Sequence, residues 1–179
     1  MTELIGFMGI SRSGKTTAAK MLIEARGGAM CSFSDPFKNM LRVLYREACI
    51  FGDRNIERRI EGDLKDVTDP AMFNKTPRDL MILIAETMRE KVDPRIWVEL
   101  ARRQMLGKHL EGAPVIVFPD VRKAIEVEMI KHHRGKIVMV TGRGHHSGDV
   151  TDDVPELLAD VTIRNDGTLD DLREQVLAL

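Results

Sequence analysis

The chain has 179 residues, 43% of them hydrophobic and 31% charged, which suits one α/β domain with a real core. Formal net charge is −1, so no overall basic field draws nucleic acid, and no basic stripe or nucleic-acid module is visible. No apolar run approaches membrane-spanning length, and the two cysteines, Cys31 and Cys49, make neither a disulfide framework nor a metal pattern.

The first apolar run, Leu4-Ile5-Gly6-Phe7-Met8, reads as a buried strand. It begins almost at the N-terminus and leaves no room for a signal peptide, so the expected location is the cytoplasm. Gly9-Ile10-Ser11-Arg12-Ser13-Gly14-Lys15-Thr16 follows and fits G-x-x-x-x-G-K-[ST]. Ala18, Met21, Leu22 and Ala25 then recur at helical spacing. Strand, glycine loop and helix form the context that a phosphate-binding loop needs. Gly9 and Gly14 let the loop curl, its N–H groups line one concavity, and the helix N-terminus adds partial positive charge there. Lys15 is placed to reach the β- and γ-phosphates of a bound nucleotide, and Thr16 to offer its hydroxyl to Mg²⁺. The expected ATP-binding set around the loop is Gly9, Ser11, Arg12, Ser13, Gly14, Lys15, Thr16 and Thr17.

Arg26-Gly27-Gly28 stops the first helix, and Ala29 to Phe33 is a candidate second strand with Cys31 as a small buried hydrophobe. Ser34-Asp35-Pro36 opens a helix running to about Ala48. Lys38 lies in its first turn, against the helix dipole, and reads equally as a phosphate contact or a solvated lysine. Gly52 to Asn74 is polar and poorly periodic, with Arg54, Arg58, Arg59 and Lys65 among acids; a short helix plus a mobile, partly exposed loop is expected. Thr76 and Pro77 start the next helix, with Arg78 again opposing the dipole. Asp93-Pro94 breaks it, and a second helix runs from about Arg95 to Leu110. That helix carries the single Trp97, which its apolar setting favours as a core residue.

Val115-Ile116-Val117-Phe118 is the clearest parallel-type strand. Asp120 and Arg122 follow it, where open α/β sheets place their ligands. A helix from about Lys123 to His133 puts Glu126 one turn beyond Arg122, within reach of an i,i+4 pair. Lys136 to Val140 is another strand. Thr141 to Asp149 is glycine-rich and reads as a mobile loop; its Arg143 suits a cation that closes on phosphate. His145 and His146 have no nearby partners and are set aside as metal ligands. A strand around Asp160 to Ile163, the turn Asn165-Asp166-Gly167 and a helix opened by Thr168 complete the chain.

Together these stretches resemble the deoxynucleoside monophosphate kinases of tailed bacteriophages, within the P-loop nucleotide kinases. The likeness spans nearly the whole chain. It rests on Gly9–Thr16, Ser34-Asp35-Pro36-Phe37-Lys38, Thr76-Pro77-Arg78, Asp93-Pro94 with Ile96-Trp97-Val98, Asp120-Val121-Arg122 with Glu126, His146-Ser147, and Ile163 to Leu169. The resemblance implies that Arg78, Trp97, Asp120, Arg122 and Glu126 line the monophosphate site, to which the position of Lys38 adds a candidate phosphate contact. It also implies that Asn165, Gly167 and Thr168 lie against the adenine of ATP. Charge neutralisation would fall to Lys15 with one or more of Arg12, Arg122 and Arg143, and Mg²⁺ to Thr16 with Asp35 or Asp120 behind a water. The chain departs from the family at Ile82 to Thr87, where a Gln and a Gly-Thr-acid run are usual, and at Ser147-Gly148-Asp149.

The expected architecture is a three-layer α/β P-loop kinase fold in a single domain over 1–179. Its five-stranded parallel sheet has the P-loop strand central, beside the Val115 strand. A helical insertion at about 50–112 forms the monophosphate side, and 141–158 a lid-like loop. The expected partners are ATP and a deoxynucleoside monophosphate, with neither nucleic acid nor membrane; monomer and homodimer are both left open. Two alternatives stand beside this reading. One is a P-loop kinase for another small acceptor, of the dephospho-coenzyme A or phosphomevalonate type; the other is a nucleotide-binding switch or ATPase.

Overall fold

The computed structural model describes residues 2–48, 55–144 and 156–179. Along the chain run β1 (Glu3–Met8), α1 (Lys15–Arg26), β2 (Ala29–Met30), α2 (Asp35–Ala48), α3 (Ile56–Ile60) and a 3₁₀ turn at Pro70–Met72. Next come α4 (Pro77–Lys91), α5 (Ile96–Leu110), β3 (Val115–Val121), α6 (Ala124–His132), β4 (Lys136–Thr141), β5 (Val161–Arg164) and α7 (Leu169–Leu177). The described strands form one five-stranded sheet in the order β2-β3-β1-β4-β5, with every pairing parallel. β1 is central and pairs with β3, as the unbroken apolar runs require of strands covered on both faces.

The chain forms two compact units, Met1–Phe33 with Val98–Leu179, and Ser34–Trp97. In the first, the two faces of the sheet carry separate apolar layers. Ile5, Phe7, Ala18, Leu22, Val117, Val138, Val140 and Leu172 pack on one side. Leu4, Met8, Val98, Ala101, Ile116, Phe118, Ile130 and Ile137 pack on the other. This is the helix–sheet–helix layering expected of an α/β sheet. In the second unit, Leu41, Tyr45, Ile60, Met72 and Met81 make a smaller core among α2, α3 and α4.

β2 is shorter than the apolar stretch Ala29–Phe33 suggests. The ladder to β3 ends after Cys31, whose N–H still reaches the Val117 carbonyl at 2.9 Å. Beyond it, Ser32 Oγ (2.6 Å) and the Phe33 N–H (3.3 Å) donate to the Asp120 carboxylate, so a side chain replaces the ladder. Cys31 is a buried core thiol as expected, while Cys49 lies outside the described residues.

The polar stretch before α4 contains more structure than its lack of period suggests. Ile60 and Met72 are buried, and Asp69 and Lys75 form an antiparallel bridge. Its charges pair: Arg42 with Glu57 through two bonds of 2.8 and 2.9 Å, Arg59 with Asp69, and Arg58 with Asp63. The Arg58 hydrogen bond holds the Asp63 carboxyl down to about 2.

Candidate active site

The site is assembled at the carboxyl ends of adjacent parallel strands. Register places Met8 of β1 beside both Val121 of β3 and Met139 of β4, and Thr141 of β4 beside Arg164 of β5. The segments leaving these strands are therefore neighbours: Gly9–Gly14, Arg122, Gly142–Gly144 and Asn165–Thr168. This edge is where open α/β sheets bind ligands.

The first loop has the backbone that its glycines permit. Gly9 (φ +136°) and Gly14 (φ +105°) lie at positive φ, and Arg12 (φ +61°) occupies the left-handed region with its side chain in solvent. A Cβ on Gly9 would lie 2.4 Å from the Val140 carbonyl oxygen. Gly14 is the N-cap of α1 and gives it no side-chain cap, and the first turn holds no acid. The leading N–H groups of the helix thus keep no capping partner of that kind, the arrangement that accepts an anion. Lys15 is buried, and its ammonium donates to the carbonyls of Gly9 (2.7 Å) and Ile10 (2.6 Å). Thr16 and Thr17 are exposed, so the Thr16 hydroxyl is open to a ligand.

Two glycines of the β4 loop and one asparagine press on this loop. A Cβ on Gly144 (φ +111°) would lie 2.4 Å from the Ser11 carbonyl oxygen. One on Gly142 would lie 2.8 Å from the Asn165 carbonyl carbon. Asn165 is buried; its N–H bonds the Thr141 carbonyl at 2.8 Å, and its carboxamide Nδ2 donates to the Ser13 carbonyl at 2.8 Å. These contacts join residues up to 152 apart in sequence, and no local pattern announces them. Arg143 extends its guanidinium to the Gly167 carbonyl (2.6 Å), so in this state it meets the Asn165–Thr168 turn. Thr168 caps α7: its hydroxyl accepts the Asp171 N–H at 3.2 Å and its own N–H donates to the Asp171 carboxylate at 2.7 Å. That backbone bond holds the Asp171 carboxyl below its usual range.

The Asp120 side chain is fixed by Ser32 and Phe33 and does not cap the next helix, so a strand-end acid is presented at the site. Ser32 was not among the residues singled out by the sequence; its link to Asp120 spans 88 residues. Glu126 also bonds backbone groups, a role the i,i+4 spacing does not announce. It is buried, and its carboxylate accepts the backbone N–H groups of Arg122 (2.7 Å) and Lys123 (3.0 Å), closing the start of α6. It thereby fixes the backbone that carries Arg122.

In the Ser34–Trp97 unit, Arg78 forks onto Asp66 through Nε (2.5 Å) and Nη2 (3.2 Å). Lys38 pairs with Glu61 at 2.9 Å, and Asp35 opens α2. Trp97 is a core side chain here, as its apolar helix suggests, and not an open stacking platform. Only 2% of it is exposed; Nε1 donates to the Ala85 carbonyl at 3.0 Å and the ring meets Phe37 edge-on, centroids 5.2 Å apart. His145, His146, Ser147, Gly148 and Asp149, and with them most of the expected lid, lie outside the described residues.

Among the described residues no group of three or more His, Cys, Asp or Glu side chains could cage a metal. An exposed Thr16 hydroxyl with a fixed strand-end carboxylate, Asp120, still fits Mg²⁺, which takes one or two protein oxygens and completes its shell with water and phosphate. Among the described residues no helix is long and apolar enough to cross a membrane.

Several known proteins are similar to this chain. A sugar kinase from Janibacter sp. HTCC2649 superposes with a TM-score of 0.54 at 15% identity, over 99% of this chain and 94% of that one. A dephospho-CoA kinase from Campylobacter jejuni gives a TM-score of 0.46 at 15% identity, over 99% and 95%. A protein of Acanthamoeba polyphaga mimivirus, provisionally named a deoxynucleotide monophosphate kinase, is 27% identical over 98% of this chain and 94% of its own length. Residues 74–176 match the family model described as deoxynucleotide monophosphate kinase. That match begins beyond Gly9–Thr16, so the glycine-loop motif and the family are separate signals for one reading: the chain is a nucleotide-binding kinase with the P-loop kinase fold and belongs to the deoxynucleotide monophosphate kinase family.

Proposed function

We propose that the protein transfers the γ-phosphoryl group of ATP to a deoxynucleoside monophosphate, giving ADP and the deoxynucleoside diphosphate. The observation that carries this reading is the pairing of β1 with β3. It brings the end of the P-loop strand beside Asp120-Val121-Arg122, so a loop for one polyphosphate and a cation for a second anion leave adjacent strand ends.

The acceptor oxygen is already anionic, so no strong base is needed, and catalysis reduces to alignment and charge neutralisation. An oxygen of the acceptor phosphate attacks the γ-phosphorus in line. The new P–O bond forms as the bond to the β–γ bridging oxygen breaks, and ADP leaves with that electron pair. The N–H groups at the start of α1 hold the phosphate oxygens. Lys15 exchanges its contacts with the Gly9 and Ile10 carbonyls for the β- and γ-phosphates. Arg122, on a backbone fixed by Glu126, faces the acceptor phosphate, with Arg12 and Arg143 as further cations. Within the Ser34–Trp97 unit, phosphate would take the place of Glu61 on Lys38 and of Asp66 on Arg78, while Trp97 stays in the core. Mg²⁺, where bound, would neutralise the β- and γ-oxygens, with Thr16 as its protein ligand and Asp120 behind a water.

The test is ADP release with ATP, Mg²⁺ and each common deoxynucleoside or nucleoside monophosphate in turn. Deoxynucleotides are expected to stimulate turnover. Release independent of any acceptor would favour an ATPase or switch; stimulation only by a different phosphorylated or hydroxyl acceptor would assign another kinase activity.

A further inference from the structure

We infer that Asn165 is a positioning residue for the phosphate-binding loop: its carboxamide locks the Ser13–Gly14 peptide in the orientation that turns N–H groups, not a carbonyl, toward the phosphates. The inference rests on the ATP reading above and assigns Asn165 a part in it that does not require contact with the nucleotide.

A trans peptide points its C=O and N–H in opposite directions. Holding the Ser13 carbonyl therefore fixes where the Gly14 N–H points. This peptide is free to turn over on its glycine side. Gly14 sits at φ +105°, and a glycine occupies positive and negative φ about equally well, so the plane can flip at little local cost. Flipped, it would present a carbonyl oxygen to an anion at the mouth of α1, and the loop would repel what it now attracts.

Asn165 opposes that flip by direct contact. Nδ2 donates to the Ser13 carbonyl at 2.8 Å in a buried setting. The fit is close: a Cβ on Gly14 would lie only 2.4 Å from Nδ2. The anchor itself is held, by the Asn165 N–H on the Thr141 carbonyl and by Gly142 packed against its backbone. The amide carries a cost as well. Its Oδ1 is buried without a hydrogen-bond partner, as is the Ser13 hydroxyl, so the side chain is not placed for its own satisfaction. A carboxylate of the same size could not donate to the carbonyl and would repel it.

The experiment measures, by calorimetry, binding of ATP and of inorganic tripolyphosphate to the wild-type chain, Asn165→Ala and Asn165→Asp, each checked for folding by circular dichroism and thermal melting. Tripolyphosphate has no base and reads the loop alone. Both ligands are expected to weaken by about tenfold in Asn165→Ala, the scale of one buried hydrogen bond, and by more in Asn165→Asp. Loss of ATP binding with tripolyphosphate unchanged would move Asn165 to the base side and overturn the inference. Unchanged binding of both ligands in either folded variant would overturn it too. A wild-type chain that binds neither ligand would instead overturn the ATP reading on which it depends.

Discussion

Lys15 shows how one residue is prepared for charge. Its ammonium is buried, yet two backbone carbonyls of its own loop accept from it, so the cation keeps partners before any phosphate arrives. Lys15→Ala is expected to lower kcat/KM by about 100-fold or more, the scale of removing one preorganised charge-stabilising donor. The melting temperature should stay close to wild type, and steady-state kinetics beside a thermal scan check both halves. Gly14→Ala should act through shape. The added methyl would meet Asn165 Nδ2 at 2.4 Å and must adopt φ +105°, so a destabilisation of about 1–3 kcal/mol is expected, with a raised KM for ATP. Urea unfolding measures the first and an ATP titration the second. At this scale the sequence was uneven in what it disclosed. Gly9, Gly14, Lys15 and Thr16 were legible because their spacing is the loop. Ser32 and Asn165 as a contact to Ser13 were not, since each acts on a partner 88 or 152 residues away that only the folded sheet brings near.

Elements were legible wherever local chemistry ends them. Thr76 and Thr168 were expected to open helices, and each closes a full capping box, with Asp79 and Asp171 respectively. Thr76→Ala is expected to cost about 1 kcal/mol, measured as a shift in the urea midpoint at constant slope. β2 was drawn too long because apolar character cannot tell a ladder from a strand end whose donors turn to Asp120. The short helix expected before α4 is present as α3, but the buried Ile60 and Met72 and the Asp69–Lys75 bridge were not legible, because the stretch is organised by ion pairs, which carry no period. Asp160 shows a pH-dependent link between elements. Burial opposes its charge, but the Ile137 N–H (2.8 Å) and Lys131 more than offset this, and its carboxyl is held below the ordinary 3.8. A carboxyl depressed on folding stabilises above its unfolded value and loses that effect as pH falls through its folded value. Asp160→Asn should therefore melt lower than wild type at pH 7, with the gap narrowing below about pH 4. Paired melts from pH 7 to 3 would detect it.

Across the whole molecule, strand order follows from which apolar runs are unbroken. β1 and β3 are buried along nearly all their length and lie innermost, while β5, with its single buried residue Ile163, lies at the rim. A ligand that grips only the folded loop must stabilise the fold by mass action. ATP at about 100 times its Kd should add about 2.7 kcal/mol, or roughly 5–10 °C in melting temperature for a chain of this size. Lys15→Ala should lose most of that gain, and a ligand-dependent thermal scan checks it. The division into two compact units, one with two apolar layers and one with a single smaller core, was only partly visible beforehand. The helical break at Asp93-Pro94 is plain in the sequence, but the boundary between Trp97 and Val98, inside α5, is not.

The narrow outer strand has a bearing on how the protein behaves when concentrated. An open sheet invites neighbouring chains to dock along its rims through unsatisfied backbone groups. On the β2 side that rim is only two residues long, and the chain leaves it at once for Ser32 and Phe33, whose polar groups already belong to Asp120. A foreign strand finds almost no register to copy there, so the sheet is blunted against fibril-like self-association on that side without any charged guard residue being spent on it.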